Sequence, residues 1–368
     1  MKEFLNNPFT PTFGSIPLQL AGRDKIIRDI LNGLNNGPGD PNRATIFVGA
    51  RGSGKTVLLA KIAEEAAANG WISINVDSDS NMLDEILIQI KDNAKEFLTP
   101  ESLSHITSIN VAGVGVSRNV NQSNRKTTWR SEMTSIIKEL NSKNVGLLIT
   151  VDEIDVKVDE LRTVVTTFQH FVRERREVAL IMAGLPPKVS ALLRKDSVSF
   201  LRRAFQQHLE AIDESEVRYS MKKTIELAGR TIEDEALEIA IKSTKGFPFM
   251  IQLIGYQIWR QNQEKNIISL NDVKEGIILA QKDIERMIFE TTYRELSDND
   301  ILFLTAMLED NDYSNINNLA KRMNVTSKYA GIYRKRLIEQ GIIESVGHGK
   351  VAYCLPMFRE YIDAIFHS

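Results

Sequence analysis

The stretch Gly49-Ala-Arg-Gly-Ser-Gly-Lys-Thr56, GARGSGKT, decides how the rest of the chain is read. It follows RATIFVG (43–49), a run of strand length, and opens onto TVLLAKIAEEAAANG (56–70), which has helical character and a stop at Gly70. Gly49, Gly54, Lys55 and Thr56 satisfy the pattern G-x-x-x-x-G-K-[ST] in the setting it needs, between a strand and a helix. Glycines let backbone N–H groups curl around a phosphate, and the helix N-terminus adds its positive dipole end. The stretch therefore predicts a nucleotide cradle formed by Gly49, Ala50, Arg51, Gly52, Ser53, Gly54, Lys55 and Thr56. Lys55 is expected to reach the β- and γ-phosphates of ATP, and Thr56 to offer its hydroxyl to Mg2+. The Arg51 side chain either joins that cradle or points to solvent.

A second stretch completes the expectation. LLITVDEID (147–155) brings an apolar strand to its carboxyl end, where ligands sit in open α/β sheets, and ends there in acids. Asp152 is placed to hold the magnesium's water shell, and Glu153 to polarise an attacking water as general base. Asp155 reads as a helix cap or a surface charge.

Composition narrows the remainder. At 368 residues the chain is long enough for two or three domains. A net charge of −2 gives no global attraction to nucleic acid or anionic lipid, so any DNA affinity must come from a local patch. The single cysteine, Cys354, excludes an internal disulfide and a cysteine-built zinc site. The N-terminal MKEFLNNPFTPTFG lacks the apolar core of a secretory signal, and no apolar run approaches the ~20 residues of a membrane helix. The expectation is a cytoplasmic protein with no membrane association.

Along the chain, strands predicted at RATIFVG, WISINVD, VGLLITVDE, VALIMAG and around QQHLEAI alternate with helical segments. This predicts an α/β fold with a parallel sheet covered on both faces. Residues 99–127 alternate and carry glycines, which predicts a hairpin or an excursion at the sheet's edge, with Arg118, Arg125 and Lys126 as basic residues on it. From Asp213 the pattern turns helical. The expected division is 1–212 as an ATPase core with an N-terminal arm, 213–296 as a helical lid, and 297–368 as a winged helix-turn-helix.

With both motifs in place, and with GRD, GLP and GFP in order, the chain resembles P-loop ATPases of the AAA+/STAND kind. It looks most like origin-recognition-type (Orc/Cdc6-like) proteins and related archaeal and bacterial ATPases. The resemblance spans about residues 8–290, with its specificity in GARGSGKT and LLITVDE. It implies that Arg23, in AGRD, lies near the adenine; the alternative is an exposed residue at a helix start. It implies that Pro248, in GFP, packs on the base; the alternative is a proline opening a helix. It implies an arginine finger at Arg202 or Arg203, in SFLRRAF, serving a neighbouring subunit; the alternative is a surface ion pair or cap. Two departures stand out. IMAGLP holds no polar residue where such ATPases carry a sensor, and FPFMIQLIG holds no sensor arginine. Both favour the STAND-like side and slow turnover.

The C-terminal pattern is helix, helix, helix, hairpin: NDILFLTAMLEDN, SNINNLAKRM, VTSKYAGIYRKRLIEQG and IIESVGHGKVAYCL. Thr326 or Ser327 is available to cap the third helix, and Gly341 to stop it. A recognition helix needs cations for phosphates and polar tips for base edges. Lys328, Tyr329, Arg334, Lys335 and Arg336, with Lys350 on the wing, are the candidates for contact with double-stranded DNA. Ala330, Tyr333 and Leu337 are expected in the core. Acids at 298, 300, 309, 310 and 312 nearly balance the segment's charge. The leading expectation is an ATP-dependent DNA-binding protein, with an oligomer possible. The alternatives are a nucleotide-controlled switch for a protein partner, and the ATPase subunit of a transposition or defence system.

Overall fold

Every residue of Val178–Gly184 is buried, and so is Leu147–Val151, because helices cover both faces of the strands they form. The computed structural model describes residues 6–12, 14–104, 122–355 and 357–367. Two compact units account for the contacts: one gathers Arg23–Gly49 and Lys55–Leu209, the other Ala50–Gly54, Glu210–Ser368 and the N-terminal residues up to Gly22.

The first unit begins with α1 (Asp24–Asn35), β1 (Ala44–Val48), α2 (Lys55–Ala68), β2 (Ile72–Asp77) and α3 (Met82–Asn93). It continues with α4 (Gln122–Ser142), β3 (Leu147–Asp152), α5 (Asp159–Arg173), β4 (Val178–Gly184), α6 (Pro186–Leu193) and β5 (Phe205–His208). All strand pairings are parallel, in the order β2-β3-β4-β1-β5. The predicted α/β class and parallel sheet are thus present. Strand β4 separates the strand that feeds the glycine loop, β1, from the strand that ends in acids, β3. The β2–β3 register aligns Asp77 with Asp152, so two carboxylates end neighbouring strands at one depth.

The hairpin expected over 99–127 is not met where the chain is described. Residues 100–104 and 122–127 are helical; 105–121 and the side chains of Arg125 and Lys126 lie outside the described residues. The physical reason lies downstream. Trp129, Met133, Ile136, Ile137 and Leu140 form a buried stripe at helical spacing, and extending a nucleated helix through polar residues costs far less than starting one.

In the second unit, α7 (Glu214–Leu227), α8 (Asp234–Thr244), α9 (Pro248–Trp259) and α10 (Leu270–Ile284) form the helical portion. A pair of two-residue parallel strands, β6 (Thr231–Ile232) and β7 (Ile267–Ile268), joins them, which the sequence did not lead one to expect. Gly246 is obligatory here. Its φ is +72°, and a Cβ would stand 2.3 Å from the Ile212 carbonyl oxygen. That close approach lets Ile212 N–H donate to Gly246 O at 2.8 Å.

The N-terminal residues are docked. Phe9 is 2% exposed and lies against Gly255, where a Cβ would come within 2.3 Å of the ring. Asn7 donates to Tyr256 O at 3.0 Å, and Thr10 N–H to Gln252 Oε1 at 3.0 Å, so residues 7–10 strap helix α9. Phe9→Ala should lower unfolding stability by about 3 kcal/mol or more, the usual cost of emptying a buried aromatic site. Leu18→Ala, at a position 54% exposed, should change little. Denaturant melts of the two variants check this; equal stabilities would show that the strap contributes nothing.

The C-terminal portion runs α11 (Glu290–Arg294), α12 (Asp298–Met307), β8 (Ser314–Asn315), α13 (Ile316–Arg322) and α14 (Ser327–Glu339). Strands β9 (Ile343–Gly347) and β10 (Lys350–Tyr353) and helix α15 (Phe358–His367) complete it. The small antiparallel sheet has the order β8-β10-β9. Thr326 caps α14, accepting from Tyr329 N–H at 3.2 Å, and Gly341 follows the helix at φ +71°. Ala330, Tyr333 and Leu337 are buried, as their spacing predicts. The apolar core runs without a break from α7 to α15, with Phe289 5.3 Å from both Phe358 and Tyr361, centroid to centroid. The expected boundary at 296/297 falls inside this continuous packing.

Candidate nucleotide site

Helix α2 begins at Lys55, directly after the glycine loop, so its first free N–H groups face whatever the loop encloses. Gly52 and Gly54 have φ values of +76° and +85°, a conformation that other residues adopt only at a cost. Lys55 Nζ donates to Gly49 O at 3.0 Å. Gly49 N–H in turn donates to Gly184 O at 3.3 Å, which ties the loop's first residue to the end of β4.

Thr56 and Asp152 meet although 96 residues separate them: Oγ1 of the threonine donates to Oδ2 of the aspartate at 2.5 Å. Glu153 follows at φ +49°, and its N–H donates to Asp152 Oδ1 at 2.8 Å. This turn carries the Glu153 side chain, which is exposed, off the line of the strand. Asp155 takes part in fixing the turn: its N–H donates to Ser78 Oγ at 3.1 Å, and its carboxylate lies 3.5 Å from Lys188 Nζ.

The rim is electronegative. Burial, and then the charges of Asp152, Glu153 and Asp79, push the Asp77 carboxyl above the usual carboxylate range. A threonine hydroxyl beside a single carboxylate, with further positions left to water and phosphate, is a donor set that suits a hard divalent cation such as Mg2+. Thr56 and Asp152 would hold such an ion, directly or through its waters, and it would supply charge neutralisation at a bound polyphosphate. The loop also fits a ligand: Ser53 is buried, and its Oγ has no hydrogen-bond partner. Asp77 was not singled out from the sequence. Its signal was there, in a strand, WISINVD, that ends in the same residue as LLITVD.

The loop residues that belong to the second unit meet its helix α9. A Cβ on Gly54 would stand 3.4 Å from Pro248, and one on Gly52 3.7 Å from Phe249. Pro248 is therefore both the first residue of α9 and a neighbour of the loop. Ala50 is half-buried and Arg51 exposed. Arg23 is buried, and that burial lowers the basicity of its guanidinium, so it is not the exposed helix-start residue of the alternative reading.

The end of β4 is apolar and closely packed. A Cβ at Gly184 would come within 3.0 Å of Ile154 and 3.2 Å of Val189, and Ala183 is fully buried. Arg202 and Arg203 are both exposed. Arg202 Nε donates to Leu193 O at 2.8 Å, and its guanidinium lies 3.9 Å from Asp196.

The six C-terminal candidates do not form one free basic face. Lys328 is exposed, and Tyr329 is half-exposed and accepts from the Tyr333 hydroxyl at 2.9 Å. Arg334 donates to Ser345 Oγ at 2.9 Å, Lys335 lies 3.9 Å from Glu339, and Lys350 sits 4.1 Å above the Tyr313 ring. Arg336 departs most from expectation. Its Nε donates to Asp300 Oδ1 at 2.9 Å, and it pairs with that carboxylate, which is almost fully buried at the capping box of α12. It is tied into the fold, because the buried acid needs a cation.

The parallel sheet with its glycine loop and acid-tipped β3 defines the molecule as a P-loop nucleoside-triphosphatase-type protein. The KAP family P-loop domain profile matches residues 23–212, and the chain belongs to that family. Residues 286–362 match a domain of unknown function, DUF8462. No curated protein sequence matches. Among solved structures, the chain is similar to the Walker-type ATPase of Pyrococcus abyssi at 13% identity, covering 94% of this chain and 96% of that one with a TM-score of 0.67. It is also similar to the ORC2 protein of Aeropyrum pernix in its ADP form, at 16% identity and 97% of each chain, with a TM-score of 0.54. At these identities the likeness concerns the fold, which matches the Orc/Cdc6-type architecture expected from the motifs. Among the described residues no helix is long and apolar enough to cross a membrane.

Proposed function

We propose that the protein binds ATP with Mg2+ and hydrolyses it slowly, using the energy to change the arrangement of its helical segments. The observation that carries this reading is the meeting of Thr56 with Asp152, beside Lys55 at the start of α2 and Glu153 at the end of β3. In it, Lys55 and the loop N–H groups bind the phosphates, and Thr56 and Asp152 hold the metal. Glu153 orients and deprotonates the attacking water, and Arg23 and Pro248 keep the adenine-side roles that the resemblance implies for each. The acid rim supports the metal's part, since a cation relieves the repulsion among Asp77, Asp152 and Glu153. Calorimetric titration with ATP, with and without Mg2+, tests it: metal-dependent binding is expected, and absence of heat in both titrations would end the proposal. The absence of a polar residue from IMAGLP and of an arginine from FPFMIQLIG favours slow turnover. An arginine finger from Arg202 or Arg203 would require an oligomer, and both are exposed enough to serve.

Division into an ATPase core (1–212), a lid (213–296) and a winged helix (297–368) belongs to the same proposal. For the last segment, continuous packing against the lid favours a switch whose nucleotide state is passed on through that contact, to a protein partner. Double-stranded DNA is the second reading, favoured by the exposed Lys328 and Lys335 on α14. If it holds, Lys328→Ala/Lys335→Ala should weaken duplex binding at every sequence and reduce the salt slope by about 2, one per phosphate contact. A gel-shift salt series reads this; affinity and slope equal to those of the unaltered protein would remove DNA from this helix. Service as the ATPase subunit of a transposition or defence system has no separate support in the fold.

A further inference from the structure

A second basic groove lies in the first unit, away from the glycine loop in sequence and on other elements. It measures about 410 Å³ and is lined by Arg130 of α4, by Arg162, Thr163, Thr166, Thr167 and His170 of α5, and by Ser197. The α5 residues recur at 162, 163, 166, 167 and 170, so they form one stripe along the helix. Three basic side chains and four hydroxyls line the groove, and no carboxylate does. The Thr163 and Thr166 hydroxyls donate to Asp159 O and Arg162 O, at 3.3 and 2.8 Å, so their hydrogens are engaged within the helix and the donors to a phosphate must be the guanidinium groups. Among the described residues Arg162 has the exposed Asp159, at 3.3 Å, as ion-pair partner, a contact of small value in water. Burial and the Arg130 and Arg173 charges lower His170 basicity, against a smaller opposing effect of Glu174. Two guanidinium groups, those of Arg130 and Arg162, thus face the groove.

We infer that this groove binds phosphate groups, held by the guanidinium groups of Arg130 and Arg162. Guanidinium groups suit this chemistry because they meet phosphate oxygens with paired N–H donors. From Arg162 to His170 the stripe runs about 12 Å, which accommodates more than one phosphate. The ligand is thus a polyphosphate compound or the backbone of a nucleic-acid strand. This inference does not depend on the nucleotide site or on α14.

The test is fluorescence anisotropy with a labelled oligothymidylate, with inorganic pyrophosphate as competitor and also titrated directly by calorimetry, all at saturating ATP to fill the glycine loop, on three proteins: unaltered, Arg130→Gln/Arg162→Gln, and Thr166→Glu. The glutamate variant places a negative charge in the groove without removing either arginine, so it covers the case in which the double variant fails to fold. Oligonucleotide affinity should fall at least tenfold in both variants, with ATP affinity unchanged. The salt slope of the arginine variant should be shallower by about 1.4, the single-strand value for two contacts. Loss of oligonucleotide binding that pyrophosphate does not compete with identifies a strand as ligand. Pyrophosphate binding that disappears in the variants, with or without the oligonucleotide, identifies a free phosphate compound. Binding of both probes at unaltered strength in folded variants, or of neither to the unaltered protein, overturns the inference.

Discussion

Lys55→Ala should lower ATP affinity by about 10²- to 10⁴-fold. The ammonium is expected to make two charge-assisted contacts to phosphate oxygens, each worth about 1.5–3 kcal/mol, and 1.4 kcal/mol is a factor of ten. Structural damage should be small, because the side chain is only half-buried and its bond to Gly49 O is a local one within the loop. Calorimetry against ATP, paired with a thermal melt, separates the outcomes. Unchanged affinity in a folded variant would remove the loop from the nucleotide site.

Glu153→Gln should leave ATP affinity intact and slow hydrolysis by about 10²- to 10⁴-fold, the usual contribution of a positioned general base. Glutamine keeps the side chain's size and its place after the left-handed turn at φ +49°. It cannot accept a proton from water. Asp152, whose oxygens already meet Thr56 Oγ1 and the Glu153 N–H, stays in place as the metal's partner. Steady-state phosphate release, measured beside ATP binding, checks both halves. Normal turnover would transfer the role elsewhere, and Asp77, aligned with Asp152 across the register, would be the first residue to try.

What could be read from the sequence were features whose cause is local. GARGSGKT carries its own geometry, because glycines at 52 and 54 free the backbone and the helix start follows at once. LLITVDE is apolar for the length of a strand and then acidic, so its direction and burial are both encoded within seven residues. Thr326 as the cap of α14 and Gly341 as its stop are local for the same reason. Features that depend on distant partners were not legible. Asp77 joins the rim only through strand register with residues 75 positions on. Arg336 is one cation among several in its helix until Asp300, 36 residues earlier, proves to be buried beside it. The polar N-terminal segment gives no sign that Phe9 has a socket at Gly255. The close packing of Gly184 against Ile154 and Val189 likewise depends on residues outside its own strand.

The strap of residues 7–10 on helix α9 also fixes an order of events during synthesis. Phe9 leaves the ribosome early, whereas Gly255 and Tyr256 follow nearly 250 residues later. At about 5–20 residues per second, that aromatic ring waits roughly 10 to 50 s for its seat. The sheet-bearing unit, with all its strands within Ala44–His208, can assemble cotranslationally during the wait. Phe9 therefore settles only after Gly255 and Tyr256 have been made, and until then its ring has no seat on the nascent chain.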